Sequence, residues 1–275
     1  MKTYADTLDE QARASAMVLE WTFADHWDGA VMRGRWLAQQ MLEADSYFCA
    51  PDFSTLVAQA AQLLPTGTGP DREDFPGEHG WVTLGRSTLL DRAATNDDLT
   101  YSTVVHVEGF YWRAWPDHWS ALTFSDTQPL GWITFAYGDA PNAAAGGDLA
   151  PNEDDIARWV RALWLLTSQR SVTEQSQETP PRAFGKRAER AGIVPLIRVI
   201  RLPRRVREQG AAELGHVDWH HRWIVSGHWR QQPWGPERKR IRPVWIAPHV
   251  KGPDDKPLKL QAHRLFVAEG EETLG

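Results

Sequence analysis

The chain has 275 residues, including 15 tryptophans and a single cysteine, and carries a formal charge of -6. That length accommodates one large domain or two of ordinary size, and a lone Cys49 excludes both an intrachain disulfide and a cysteine-based zinc site. No apolar run approaches the roughly 20 residues needed to cross a bilayer, and the opening MKTYADTLDEQARAS lacks the basic start and apolar centre of a signal peptide. The expectation is a soluble cytoplasmic protein without a membrane partner.

In chain order, Ala12, Ala16, Leu19, Phe23, Trp27 and Val31 fall three or four apart, so residues 8 to 43 are predicted to be mainly helical. A second helix is predicted over 54–64, with Ser54 as N-cap and Pro65 closing it. A loop rich in Asp, Glu, Gly and Pro, expected to be mobile, runs to about His79. The period then changes. Residues 101–112, 119–124 and 130–138 are rich in β-branched and aromatic residues separated by Pro, Asp and Gly, which predicts an antiparallel meander. After a loop over 139–152, EDDIARWVRALWLLTSQRS opens with acidic residues at the positive end of a helix. It places Ile156, Trp159, Val160, Leu163, Trp164 and Leu166 in one stripe that should pack on the sheet. Most of the tryptophans are expected to be core or stacked surface.

From about 172 the composition is that of a linker, followed by a short basic helix ending at Gly192. A strand over 194–202, a charged loop, and the strand-like HHRWIVSGHWR, RIRPVWIAPHV and HRLFVAE follow. The predicted fold is α+β: an acidic helical and antiparallel-sheet domain over 1–172, an Arg-rich linker and short helix over 173–192, and a small basic β module over 193–275. Charge divides in the same way. Residues 1–180 hold 11 Lys and Arg against 26 Asp and Glu, a net of -15, and residues 181–275 hold 19 against 10, a net of +9, which together give -6. The basic part is therefore expected to meet an anion: nucleic acid, an acidic partner, or the acidic half of the same chain.

Residues 216–259 concentrate the side chains that carry chemistry. Read as one strand from His221 to Arg230, alternation places His221, Trp223, Val225 and Trp229 on one face and Arg222, Ile224, Ser226, His228 and Arg230 on the other. The second face combines an imidazole with two guanidiniums. Such a set can bind a phosphodiester, withdraw a proton from a ribose hydroxyl and stabilise the developing charge without a metal or cofactor. The candidate catalytic residues are thus His228, Arg230 and Arg222; the alternative is a solvated strand with a structural histidine. In the following turn Arg238, Lys239, Arg240 and Arg242 are candidate phosphate contacts. Trp234 could stack on an unpaired base, favouring RNA or single-stranded DNA over duplex, unless it folds back onto the module.

Other constellations say less. His216, His220 and His221 lie near Asp218 at intervals that fit no standard zinc pattern. Glu20, Asp25, His26 and Asp28 cluster around Trp21 and Trp27 on the solvent side of the first helix. The run of cations from Arg182 to Arg207 is either a phosphate-seeking segment or a linker held against the acidic domain. No phosphate-cradling glycine loop and no nucleophile elbow is present, which leaves nucleotide hydrolysis and serine esterase chemistry without support.

The blocks W-I-V-S-G-H-W-R-x-Q (223–232), R-P-V-W-I-A-P-H-V-K-G-P-x-D-K-P-L (242–258) and P-R-A-x-x-K-R-A-E-R-A-G (181–192) resemble an uncharacterised protein family of high-GC bacteria, their phages and mobile elements. The resemblance covers roughly residues 155–267 and brings no activity with it. The setting it implies is one of toxins, antitoxin-bound effectors or phage regulators. The leading expectation is a nucleic-acid-binding protein, with metal-independent RNA cleavage as its stronger form. The rival is a protein that binds another protein, such as an inhibitor or toxin partner, and a small-molecule enzyme using the acidic domain lacks a motif.

Overall fold

The computed structural model describes residues 2–20, 30–91, 104–126, 128–138, 143–146, 152–203, 222–253 and 256–259. The chain is α+β with a small C-terminal β module, and it divides into two compact units. The first comprises Met1–Arg205 and Trp229–Trp245; the second comprises Val206–His228 and Ile246–Gly275.

The first unit is built on an eight-stranded mixed sheet. Helices α1 (Asp6–Glu20) and α2 (Ala30–Glu43) precede strand β1 (Asp45–Cys49), helix α3 (Pro51–Gln62) and strand β2 (His79–Asp91). The predicted meander follows as β3 (Val104–Ala114), β4 (His118–Ser125) and β5 (Gln128–Ala136), extended by β6 (Ala143–Gly146). Helix α4 (Glu153–Thr167), strand β7 (Glu174–Glu178), helix α5 (Arg182–Arg190) and strand β8 (Ile197–Arg201) complete it. The strand order is β6-β5-β4-β3-β2-β1-β8-β7, with β1 parallel to both β2 and β8. Strand β8, expected to begin the C-terminal module, therefore lies inside the main sheet, and β7 occupies its edge where a linker was expected. A polar EQSQE sequence suits an edge, because charged side chains discourage further pairing.

Alternation explains why both faces of this sheet are covered. Trp81, Tyr111, Leu122 and Phe124 turn towards Ala14, Val18, Leu37 and Met41 of α1 and α2. Their neighbours Val82, Phe110 and Trp112 turn the other way, onto Val57 of α3 and Trp159, Val160 and Leu163 of α4. The α4 stripe thus packs on the sheet as predicted. Asn152 caps that helix by accepting from the backbone of Asp154 (3.0 Å) and Asp155 (3.3 Å). Helix α3 starts earlier than predicted: Pro51 sits in the first turn, where its missing N–H costs nothing, and Ser54 is inside the helix, its Oγ donating to the Cys49 carbonyl (3.1 Å). Helix α5 ends at Arg190 with Ala191 as its C-cap, and the chain turns away at Gly192, whose φ of 84° permits the bonds Gly192 N to Glu189 O (3.1 Å) and Ile193 N to Ala188 O (2.9 Å).

Towards the C-terminus the single predicted strand over 221–230 is two strands. Strand β9 (Arg222–Val225) ends before Ser226 and Gly227, and β10 (His228–Trp234) begins after them. Strand β10 pairs with β11 (Arg240–Ile246) as a hairpin, whereas β9 lies between β12 (His249–Lys251) and β13 (Leu258–Lys259) in the sheet of the second unit. The expected strand HRLFVAE, the histidines at 216, 220 and 221, and the cluster around Trp21 and Trp27 lie outside the described residues. Among the described residues, no helix is long and apolar enough to cross a membrane.

Within the first unit the hairpin is held to α3 through Trp229, whose indole Nε1 donates to the Ala60 carbonyl (2.8 Å) and whose ring meets Trp245 at 5.2 Å and 68°. Trp229→Phe is expected to cost about 1 kcal/mol through the lost hydrogen bond, and Trp229→Ala roughly 2–3 kcal/mol because the half-buried ring is also removed. Urea denaturation checks both, and the Ala variant should in addition gain a protease-sensitive site between residues 229 and 245.

Candidate nucleic-acid interface

Three elements of the first unit meet beside the hairpin. The first is the acidic segment that composition marks as a loop, which carries a 3-10 turn over Arg72–Asp74 instead of running irregularly. Asp71 and Asp74 form a capping box: the Asp74 carboxylate accepts from the Asp71 backbone N–H (2.9 Å), and the Asp71 side chain accepts in return from the Asp74 backbone. Buried Phe75 anchors the turn among Trp112 (4.9 Å), Trp119 (5.6 Å) and Trp164 (6.4 Å). Backbone bonds between Gly69 and Gly138 (3.0 Å) and between Gly138 and Pro70 (3.2 Å) fix its other side.

The second element is α4, which contributes Arg161 and Leu165. The third is β10–β11, whose outward positions carry Arg230, Trp234, Arg238, Lys239, Arg240 and Ile241, all exposed. Its inward positions carry Trp229 and the buried Pro243 and Trp245. Gln169 accepts from the Trp245 backbone N–H (3.1 Å) and Ser168 from Arg242 (3.2 Å), which lays β11 across the end of α4. At the hairpin tip Gly235, Glu237 and Arg238 have φ of 77°, 55° and 54°, and Lys239 pairs with Glu237. Two consecutive non-glycine residues in the left-handed region make this a strained turn, the kind of backbone found where a loop presents side chains to a ligand.

Between these elements is a cleft of about 350 Å³ lined by Asp71, Glu73, Asp74, Arg161, Trp234 and Arg240 among others. Its charges are partly paired: Arg240 with Glu73 (3.3 Å), Arg242 with Asp74 (3.6 Å) and Arg161 with Asp71 (3.7 Å). The guanidiniums of Arg240 and Arg242 stand 5.8 and 5.7 Å from the centre of the Trp234 ring, within cation–π range. Burial pushes the Asp74 carboxyl above its ordinary value of 3.8, outweighing the lowering effect of the Asp71 backbone hydrogen bond and of Arg161 and Arg242.

The phosphate-contact candidates Arg238, Lys239, Arg240 and Arg242 and the stacking candidate Trp234 are thus brought together on one hairpin. The catalytic candidates are not placed on one strand. Arg222 lies on β9, where its Nε donates to the Lys256 carbonyl (2.9 Å), and Arg222 and His228 belong to the second unit while Arg230 belongs to the first. Alternation over 221–230 fails because Ser226 and Gly227 interrupt the strand. The exposed His228 has its Nδ1 3.1 Å from the Ser226 carbonyl, and Arg230 donates to Gln232 (2.9 Å), two residues along its own strand. The acidic wall was missed by sequence reasoning; the density of Asp and Glu over 71–78 was visible, but nothing local ties it to residues 234–243.

Among the described residues, no group of three or more His, Cys, Asp or Glu is arranged to hold a metal ion. The one cysteine, Cys49, is buried, which pushes its thiol well up and removes thiolate chemistry. The chain matches no protein-family model, no curated protein and no solved structure.

The raised Asp74 has a consequence for stability. Between pH 3.8 and its higher folded value the folded chain holds more protons at this site than the unfolded chain, so its contribution to stability falls as pH rises through that window. Asp74→Asn removes the effect while keeping a hydrogen-bond acceptor. The stability of the variant relative to the parent, from urea denaturation, is expected to be higher at pH 7 than at pH 4; the opposite order would mean that pairing with Arg242 outweighs burial.

Proposed function

We propose that the β10–β11 hairpin binds single-stranded nucleic acid, RNA or single-stranded DNA. The observation that carries this reading is the exposed Trp234, 37 % accessible, set among Arg238, Lys239, Arg240 and Arg242 on one projecting hairpin. An accessible indole stacks on any unpaired base, and cations beside it follow the phosphates, which is how sequence-tolerant single-strand binding is built. The Arg240–Glu73 pair is no obstacle, since its side chains are 61 % and 63 % exposed and a pair so solvated contributes at most about 1 kcal/mol. Half-buried Arg242 is better suited to holding the hairpin and facing the indole than to leaving with a phosphate.

A second reading adds metal-independent RNA cleavage, with His228 as general base or acid. It is supported by the contact of His228 Nδ1 with the Ser226 carbonyl: an Nδ1–H donated there leaves Nε2 as the basic nitrogen. With the resemblance to a family of phages and mobile elements, this reading makes the protein a toxin or effector. The rival reading is a surface for a protein partner.

End-labelled RNA and single-stranded DNA in mobility-shift assays over a salt series, with and without EDTA, test these readings. Binding should weaken steeply with salt. Arg238→Ala with Lys239→Ala is expected to flatten the log–log slope by about 1.4, two phosphate contacts at roughly 0.7 each, and Trp234→Ala to weaken binding about fivefold or more, from the loss of roughly 1–3 kcal/mol of stacking. EDTA-resistant cleavage lost in His228→Ala would establish the enzyme. Absence of binding at low salt would overturn the nucleic-acid reading in favour of a protein partner.

A further inference from the structure

The nucleic-acid reading assigns the outside of the hairpin and leaves the adjoining cleft without a role. Carboxylates in a site for a polyanion are costly unless they face something other than phosphate. Three of them, Asp71, Glu73 and Asp74, line the same cleft as Trp234. They are not equivalent. Asp74 has only 8 % of its side chain exposed and is engaged by the Asp71 backbone and Arg242, and Asp71 is engaged in the capping box and by Arg161. Glu73 is 63 % exposed and, among the described residues, makes one ion pair, through Oε1, to Arg240. Arg240 in turn stands 5.8 Å from the Trp234 ring centre. A base stacked on Trp234 would take the place that the Arg240 guanidinium now holds over the ring, and the displaced guanidinium with its Glu73 partner would then stand at the edge of the base.

Hydrogen-bond polarity decides which base fits that pair. An arginine beside a glutamate presents donors and then two acceptor oxygens, the order shown by the pairing edge of cytosine. Guanine complements it: O6 accepts from the guanidinium while N1–H and N2–H donate to the two carboxylate oxygens. Uracil sets its O2 against a carboxylate oxygen, adenine sets its N6–H donor against the guanidinium, and cytosine opposes like with like throughout. The cleft volume of about 350 Å³ is at the small end of the roughly 300–1,000 Å³ typical of ligand sites, suited to one nucleotide and not to a base pair.

We infer that the cleft between the acidic turn and the hairpin is a guanine-selective subsite, with Trp234 as the stacking wall and the Arg240–Glu73 pair reading the base edge. The inference rests on the nucleic-acid reading and adds base preference to it. Charge-paired, bidentate recognition of a base edge discriminates by about 1–3 kcal/mol, so a preference of about tenfold is expected.

The test is fluorescence polarisation with the full chain and labelled nine-nucleotide oligouridylates whose central position is U, A, C, G or inosine. Guanine should bind about tenfold tighter than adenine or uracil, with inosine, which lacks the N2 amine, between them. Glu73→Gln, an exposed change that the fold should tolerate, is expected to reduce the guanine preference to less than threefold while leaving oligouridylate affinity equal or higher, because a negative charge has been removed. Trp234→Ala should weaken every oligonucleotide. Binding without guanine preference, or a preference unchanged in Glu73→Gln, would overturn the subsite and leave the binding reading standing. Failure of all five oligonucleotides to bind at low salt would overturn that reading and the subsite with it.

Discussion

The candidate interface depends on one indole. Strands β10 and β11 stand apart from the eight-stranded sheet in hydrogen bonding and come from a part of the chain far in sequence from α3. Trp229 closes that distance by donating to the Ala60 carbonyl, which lies in the last turn of α3. Carbonyls there lack a normal helical partner. The Ala60 oxygen already accepts from Leu63 in a tightened turn at 3.1 Å, and its second lone pair is left for the hairpin. Trp245 then packs edge-on against Trp229 while its backbone N–H donates to Gln169. Helix ends α3 and α4 thereby fix where Trp234 and its surrounding cations project.

Charge is distributed to the same end. Several of the basic residues that sequence sets apart from the acidic half are paired with it: Arg187 with Asp9, Arg198 with Asp45, Arg240 with Glu73 and Arg242 with Asp74. An intramolecular account of the asymmetry is thus correct for these residues. It does not extend to the hairpin tip, where among the described residues Arg238 is exposed with no such acidic partner and Lys239 is matched only by its neighbour Glu237. Most of these pairs are solvated and contribute little to stability; their effect is to orient guanidiniums and to set acceptors beside donors at the cleft.

The α+β class, the β3–β4–β5 meander and the α4 stripe were legible in the sequence because each is a local periodicity several residues long. Strand β1, with five residues, and β2, interrupted by Gly80 and Gly85, were not. Strand β1 is held by parallel pairing with β2 and with the distant β8, while β2 lies between β1 and the antiparallel β3, and Gly85 sits where the register against β3 shifts between Thr83 and Thr88. The site was legible by composition and not by geometry. Clustering of Trp234 with Arg238, Lys239, Arg240 and Arg242 was visible, whereas the break at Ser226 and Gly227 that separates Arg222 from Arg230 was hidden by a run of residues with uniform strand character. Glu73 could not be found at all, because 167 residues separate it from Arg240.

The tryptophans show how finely local sequence determines what a large side chain can do. Trp81 and Trp132 each precede a threonine by two positions on a strand, which puts hydroxyl and indole on one face, and their Nε1 groups donate to Thr83 (2.9 Å) and Thr134 (3.0 Å). Trp112 and Trp119 have Ala114 and Ala121 at the equivalent positions, and among the described residues their buried Nε1 atoms have no hydrogen-bond partner, as is also true of Trp159 and Trp164 in α4. An unsatisfied buried donor costs about 1–3 kcal/mol. Ring contacts offset that cost: Trp119 stacks on Phe135 at 4.1 Å, Trp112 meets Trp164 edge-on at 5.5 Å, and Trp159 meets Phe110 at 5.5 Å, each such contact contributing roughly 0.5–1.5 kcal/mol beyond its burial. Trp229 belongs to the first group by a longer route, finding its acceptor on another element, and that is why an indole there can attach a hairpin when a phenyl ring would only cover surface.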